Sequence, residues 1–158
     1  MKDKIIDWIV ALTIPREELL GFSICPYAKQ AYQSGVYDII ESDVEDIHNA
    51  IQQVDLITNQ VVVVIVKNYD IHSIELMREN TLLLNEMYNP SDIVVLDNDP
   101  REPFIVNGVT TTFPGSYLWV LQSLSDLNAK HVMLSKTNYY SVWTNKQLEE
   151  VVTWRKQK

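Results

Sequence analysis

Six consecutive aliphatic residues, Val61-Val62-Val63-Val64-Ile65-Val66, constrain this chain more than any other segment. All six are β-branched, which restricts χ1 and favours a strand over a helix. The run has no polar alternate position, so the strand must be covered on both faces. The neighbouring segments supply the cover. Val36–Glu41 reads as a preceding strand and Ile93–Leu96 as a following one. Between them Ile47, Ala50, Ile51 and Val54, then Ile74, Met77, Thr81, Leu84 and Tyr88, recur at helical spacing. Ser42 and Glu45 have capping-box spacing before the first helix, Asp70 is placed to cap the second, and Asn89-Pro90 stops it. This β-α-β-α-β order predicts a two- or three-layer α/β domain with a mostly parallel sheet and right-handed crossovers.

The flanks carry their own signals. Ile5, Trp8, Ile9 and Leu12 define one face of a helix over Asp3–Leu12, closed by Pro15. A short helix starts near Cys25, with Pro26 at its first position and Gly35 at its exit. Phe104–Val106, Asn107-Gly108 and Val109–Phe113 predict a two-residue β-hairpin, because both central residues accept positive φ. A long helix is expected over Ser116–Leu134, with Tyr117, Val120, Leu121, Leu124, Leu127, His131 and Leu134 on its inner face. Thr144 and Gln147 open a last helix whose stripe is Leu148, Val151, Val152 and Arg155. Tyr139, Tyr140, Trp143 and Trp154 are expected to anchor that helix, stacking on a ligand being the rarer use. The N-terminal and C-terminal helices are expected to pack on the sheet, and the length fits one domain over residues 1–158.

Charge narrows the function classes. The chain holds 21 acidic and 13 basic side chains, a net charge of −8, which argues against general nucleic-acid binding. The charge is unevenly divided. Residues 1–128 form an acidic core with 19 acidic and 7 basic side chains, and residues 129–158 a basic, aromatic helical tail with 2 and 6. The split predicts self-complementarity, with the tail docked on its own body or on a neighbour's in a homo-oligomer, and it allows a local anionic contact by the tail. One cysteine excludes an internal disulfide framework and a multi-cysteine zinc site. The start of the chain lacks the apolar run of a signal peptide, and the longest apolar run is the Val61–Val66 segment. A cytoplasmic location without membrane contact is expected, in a host cell's cytoplasm if the source is viral.

Polar residues gather where the strands end, at Glu41-Ser42-Asp43, Lys67-Asn68-Tyr69-Asp70 and Asp97-Asn98-Asp99-Pro100-Arg101. Ligands of parallel α/β sheets bind beyond such ends. Asp97, Lys67, Tyr69 and Pro100 are therefore candidate ligand-binding residues for a small anionic ligand, and Asp99 and Arg101 candidate catalytic ones. The plainer reading is polar loops, with Ser42 and Asp70 capping helices. Cys25 is the third candidate catalytic group. At a helix N-cap its thiolate would be stabilised by free N–H groups, with Lys29 one turn on; alternatively it is a small packed side chain. His48, His72 and His131 have no ligand-spaced partner, so no metal is assigned, and His131 reads as a hydrogen-bonded core residue. The glycines at 21, 35, 108 and 115 are too scattered for a phosphate loop, a Rossmann site or a serine-hydrolase elbow.

Two resemblances start at Cys25. Cys25-Pro26-Tyr27-Ala28-Lys29 followed by Gly35-Val36-Tyr37-Asp38-Ile39-Ile40-Glu41 resembles the active-site helix and next strand of glutaredoxins. Ala28 stands where those proteins have a resolving cysteine, so the resemblance implies at most a monothiol mechanism at Cys25. Over residues 4–128 the layout is similar to an uncharacterised bacterial family with a Cys-Pro-Phe-Ala motif. Leu20-Gly21-Phe22-Ser23-Ile24 leads into the motif, and Phe113-Pro114-Gly115-Ser116-Tyr117-Leu118 enters a leucine-rich helix. Asp99-Pro100-Arg101-Glu102-Pro103-Phe104 matches that family's His-Pro-Asp segment, with aspartate in place of histidine. This likeness marks Cys25 and Asp99-Pro100 and implies no activity.

Three functions remain open. One is an enzymatic or ligand-binding cleft at the strand ends, with Cys25 as thiolate, Arg101 holding an anion and Asp97 or Asp99 as base. The second is a non-catalytic interaction or regulatory module, viral accessory proteins included, that self-associates. The third is a monothiol redox protein.

Overall fold

A computed structural model describes residues 1–69 and 74–156. Helix α1 spans Lys2–Leu12, and α2 spans Pro26–Ser34 between Cys25 at its N-cap and Gly35, whose φ of 65° closes the last turn as that residue type allows. Strand β1 (Tyr37–Asp43) leads through a 3₁₀ turn into α3 (Ile47–Gln52). Then follow β2 (Val61–Lys67), α4 (Ile74–Tyr88) and β3 (Ile93–Asn98). The short strands β4 (Ile105–Val106) and β5 (Val109–Thr110) make the hairpin, with Asn107 and Gly108 at φ 46° and 82° as the Asn-Gly pair requires. Strand β6 (Leu118–Ser123) precedes α5 (Leu124–Ser135). The chain closes with α6 (Asn145–Leu148), a π turn (Glu149–Thr153) and α7 (Trp154–Lys156).

The fold is mixed α/β. Its main sheet has the order β1-β2-β6-β3. The β1–β2 pair is parallel, whereas β6 is antiparallel to both β2 and β3. Thus β1, β2 and β3 point the same way, and one reversed strand separates the last two. Both faces of β2 are covered. Val62, Val64 and Val66 pack with Ile47, Ile51, Met77 and Leu84 of α3 and α4. Val63 and Ile65 pack with Ile5 and Ile9 of α1. Full burial of one such side chain stabilises by about 1.5–3 kcal/mol.

Two expectations are corrected. The predicted helix over Ser116–Leu134 is a strand followed by a helix that starts only at Leu124. Tyr117, Leu118, Trp119 and Leu121 are all fully enclosed, which a central strand achieves and a one-sided helical stripe does not. This strand also makes the sheet mixed. The Ser42–Glu45 capping box is not formed either. β1 runs on to pair Ser42 with Val66 and Asp43 with Lys67, the Ser42 hydroxyl donates to the Asp43 carbonyl at 2.9 Å, and α3 has no side-chain cap. Asp70 and its expected cap lie outside the described residues. The Thr144–Gln147 capping box is present, with N–H to oxygen distances of 3.2 and 2.9 Å.

Asn85 of α4 closes one sheet edge. It is 5% exposed; its Nδ2 donates to the Val95 carbonyl and its Oδ1 accepts the Val95 N–H, both at 2.8 Å. The side-chain amide thus stands in for a neighbouring strand on β3. No helix among the described residues is long and apolar enough to cross a membrane. Asn85→Leu leaves the Val95 N–H and C=O enclosed and unpaired, so it is expected to cost about 2–4 kcal/mol in urea unfolding and to increase aggregation.

Candidate functional site

The ends of β1, β2 and β3 and the start of β6 share one edge of the sheet, because β6 runs against the other three. This topology brings Lys67, Tyr69, Asp97, Asp99 and Arg101 to the edge predicted for them, and adds Tyr117. The chain turns sharply after β3. Pro100 fits the second position of a β-turn in which the Glu102 N–H donates to the Asp99 carbonyl at 3.2 Å. The Asp99 side chain accepts the Arg101 backbone N–H at 2.9 Å, which folds the arginine back over it. Arg101 Nε and Nη2 then donate to the two Asp99 carboxylate oxygens, each at 2.8 Å. The pair is well enclosed, with side-chain exposures of 17% and 9%. Burial works to raise the Asp99 carboxyl, but the Arg101 bonds and the charges of Arg101 and Arg78 hold it below the ordinary carboxylate value.

Asp97 lies on the solvent side of a buried chain of hydroxyls. Tyr117 Oη donates to Asp97 Oδ2 at 3.0 Å and lies 3.3 Å from Thr81 Oγ1. Trp119 Nε1 donates to Thr81 Oγ1 at 3.0 Å, and the Thr81 hydroxyl donates to the Met77 carbonyl at 3.0 Å. Burial and the Asp97 charge push the Tyr117 phenol far above its ordinary value, so it stays a hydrogen-bond donor. Tyr69 Oη accepts the Tyr117 N–H at 3.4 Å. Each described basic side chain at this edge already has a carboxylate: Lys67 with Glu41 at 3.6 Å, Arg78 with Glu102, and Arg101 with Asp99.

Cys25 belongs to a different set of contacts. It packs with Leu12, Leu19, Ile24 and the hairpin residues Val106 and Val109, beside Trp143. Tyr139 is buried and its hydroxyl donates to the Ile24 carbonyl at 2.6 Å. Tyr27 Oη donates to the Lys130 carbonyl at 3.2 Å, and Lys130 Nζ lies 5.1 Å from the Tyr27 ring centre. The Cys25 position matches the expected N-cap, and the Ala28 and Tyr27 N–H groups with Lys130 do favour a thiolate. Burial outweighs them and pushes the thiol above its ordinary value. Cys25 sits in this apolar cluster, whereas the Asp99 carboxylate is bonded to Arg101 after β3. A shallow hollow of about 410 Å³ at the strand edge is lined by Glu41, Ser42, Asp43, Asp46 and Lys67, and a second of about 340 Å³ by Lys2, Gly35 and Asp38. Neither is lined by Cys25, Asp97, Asp99 or Arg101.

His131 is 7% exposed with Nδ1 3.0 Å from Tyr140 Oη, the hydrogen-bonded core residue expected. No three His, Cys, Asp or Glu side chains among the described residues are arranged to hold a metal, and His72 lies outside them. The residues that sequence reasoning missed at the edge, Tyr117 and Thr81, were legible only as apolar-face positions; the hydroxyl chain depends on strands meeting across the fold. The chain matches no protein-family model, no curated protein and no solved structure.

Two tests follow from this geometry. The Asp99 carboxyl is lowered on folding, so its contribution is present above the unfolded value of about 3.9 and lost as pH falls through the lower folded value. Wild type should therefore melt above Asp99→Asn at pH 6–7, and the gap should narrow as the pH is lowered past the unfolded value and on through the lower folded one. Iodoacetamide labelling of Cys25 should half-titrate above the ordinary thiol value of about 8.5.

Proposed function

We propose that this chain is a non-catalytic protein-interaction domain that docks a partner on the outer face of α4. The observation that carries the reading is a row of large apolar side chains in solvent. Leu76, Leu83 and Met87 are 49%, 56% and 58% exposed. At 3.6 residues per turn these positions fall within about 40° of arc. The opposite face, with Met77, Thr81, Leu84 and Asn85, is already buried, so the outer row is not needed to attach the helix. Single exposed leucines are ordinary, but an aligned row is the pattern of a docking surface.

The chemistry elsewhere supports binding over catalysis. Asp99 and Arg101 satisfy each other, and burial keeps the Cys25 thiol protonated at neutral pH. Glu75, Glu79 and Glu86 border the apolar row, so the fitting partner is an amphipathic helix whose apolar face is flanked by Lys or Arg. A second reading, ligand binding at the strand edge, is favoured by one observation: Asp97 is an exposed carboxylate oriented by the Tyr117 hydroxyl.

The test is titration of the full chain with a Leu/Lys amphipathic helical peptide, followed by amide chemical shifts. Changes should cluster in residues 75–87, and Leu83→Gln/Met87→Gln should weaken binding at least tenfold while leaving the melting temperature unchanged. Changes centred on Asp97 and Tyr69, or equal binding by the double variant, would sink the α4 reading. Light scattering over a concentration series reports whether a second copy of the chain competes for the same face.

A further inference from the structure

The fold sorts the four methionines of the chain by access. Met77 is 1% exposed and packs in the core with Leu84, Val95 and Trp119. Met1, Met87 and Met133 are each more than half exposed. Met1 precedes α1 and Met133 lies on α5. Met87, in the last turn of α4, stands in line with Leu76 and Leu83. Leu83 and Met87 are four residues apart, about 40° of arc, so their side chains cover one strip of helix surface.

A third leucine at position 87 would bring similar helix propensity and apolar volume. Methionine adds a polarizable sulfur that takes up oxygen. The thioether at 87 is open to solvent, while that at 77, on the face that attaches the helix, is enclosed. An oxidant in solution therefore alters the outer face of α4 and leaves its packing alone.

We propose that Met87 is a reversible oxidation site that switches the docking face of α4, an inference that rests on the reading of α4 as a binding surface. The oxidant is hydrogen peroxide. The thioether sulfur attacks one peroxide oxygen, the O–O bond breaks and an S–O bond forms. The second oxygen leaves as water, taking the proton of the first. Sulfur loses two electrons and the peroxide gains them. In the reverse step a thiol-dependent reductase removes the oxygen as water while two thiols become a disulfide. The sulfoxide oxygen is hydrated in the free chain. Docking would bury it against apolar side chains without a donor, because the partner's cations are matched by the glutamates beside the row. Oxidation thus weakens docking without loosening the fold.

Peroxide treatment of the full chain tests this, read by peptide mass mapping, thermal unfolding and titration with the Leu/Lys helical peptide. Mapping should find one added oxygen at Met87 and none at Met77. It follows Cys25 as well, so that thiol oxidation is not counted as the switch. The oxidised chain should bind the peptide about fivefold or more weakly at an unchanged melting temperature. A pair of reductases, one for each sulfoxide epimer, should restore the affinity. Met133→Leu should lose affinity on oxidation as wild type does. Met87→Leu, compared only with itself before and after peroxide, should lose none. Failure of the untreated chain to bind the peptide through residues 75–87 overturns the docking reading and the switch with it. With that binding intact, the switch alone is overturned by affinity retained after Met87 is oxidised, by an equal loss in Met87→Leu, by no recovery with the reductases, or by a fall in melting temperature that marks damage to the core.

Discussion

The fold depends on filling the slot between β2 and β3. Both are hydrophobic strands, and the chain between them is spent on α4, which covers one face and leaves their facing backbone groups without partners. β6 returns from the far side of the hairpin and supplies those partners on both sides at once. Trp119 then sits wholly enclosed, and its indole N–H would be an unpaired donor in the core without the Thr81 hydroxyl. The same hydroxyl is within reach of Tyr117, which reaches Asp97 at the surface. One strand insertion therefore fixes the sheet, the orientation of α4 and the position of an exposed carboxylate. Thr81 is the joint among them, a small polar residue on a face that otherwise asks for an aliphatic one.

Legibility in the sequence followed the range of the interaction. Pro26 with Gly35, Asn107 with Gly108, and Thr144 with Gln147 act on backbone within a few residues, and all three marked their elements correctly. The Val61–Val66 run announced a strand covered on both sides because composition alone demands it. β6 was hidden because Tyr117, Val120, Leu121 and Leu124 satisfy helical spacing, and only partner strands reveal that the intervening residues are buried as well. Ser42 and Glu45 mimicked a cap for a related reason: pairing with Val66 and Lys67 outcompeted a local bond. At the strand edge the placement of Asp97, Asp99 and Arg101 was readable from strand direction. Their mutual neutralisation was partly readable too, since Asp-Pro-Arg is turn chemistry that brings the two charges together. Arg155 was visible as a charge inside an apolar stripe, but its burial was not.

Charge division along the chain has a physical meaning different from the one its arithmetic invites. The basic segment is seated on the rest of the chain by Tyr139, Trp143 and the Gln147 amide, which donates to the Ile105 carbonyl. Its described ion pairs, Lys130–Asp126 and Lys146–Glu150, are local i,i+4 contacts. Aromatic packing does the docking, and most of the acidic surface is left uncompensated and open to cationic surfaces of other molecules. Cys25 is drawn into this same packing, which explains how a residue at a helix N-terminus ends up with a less acidic thiol.

Asn85 carries a consequence for how copies or partners can join. Its amide occupies the Val95 N–H and C=O, a pair in the middle of β3 that an incoming strand would use. At the opposite edge β1 displays Asp38, Glu41 and Asp43, an arrangement that repels another strand of the same kind. The sheet is thus capped at one end by a side chain and at the other by charge. Both features oppose growth of the sheet by strand addition.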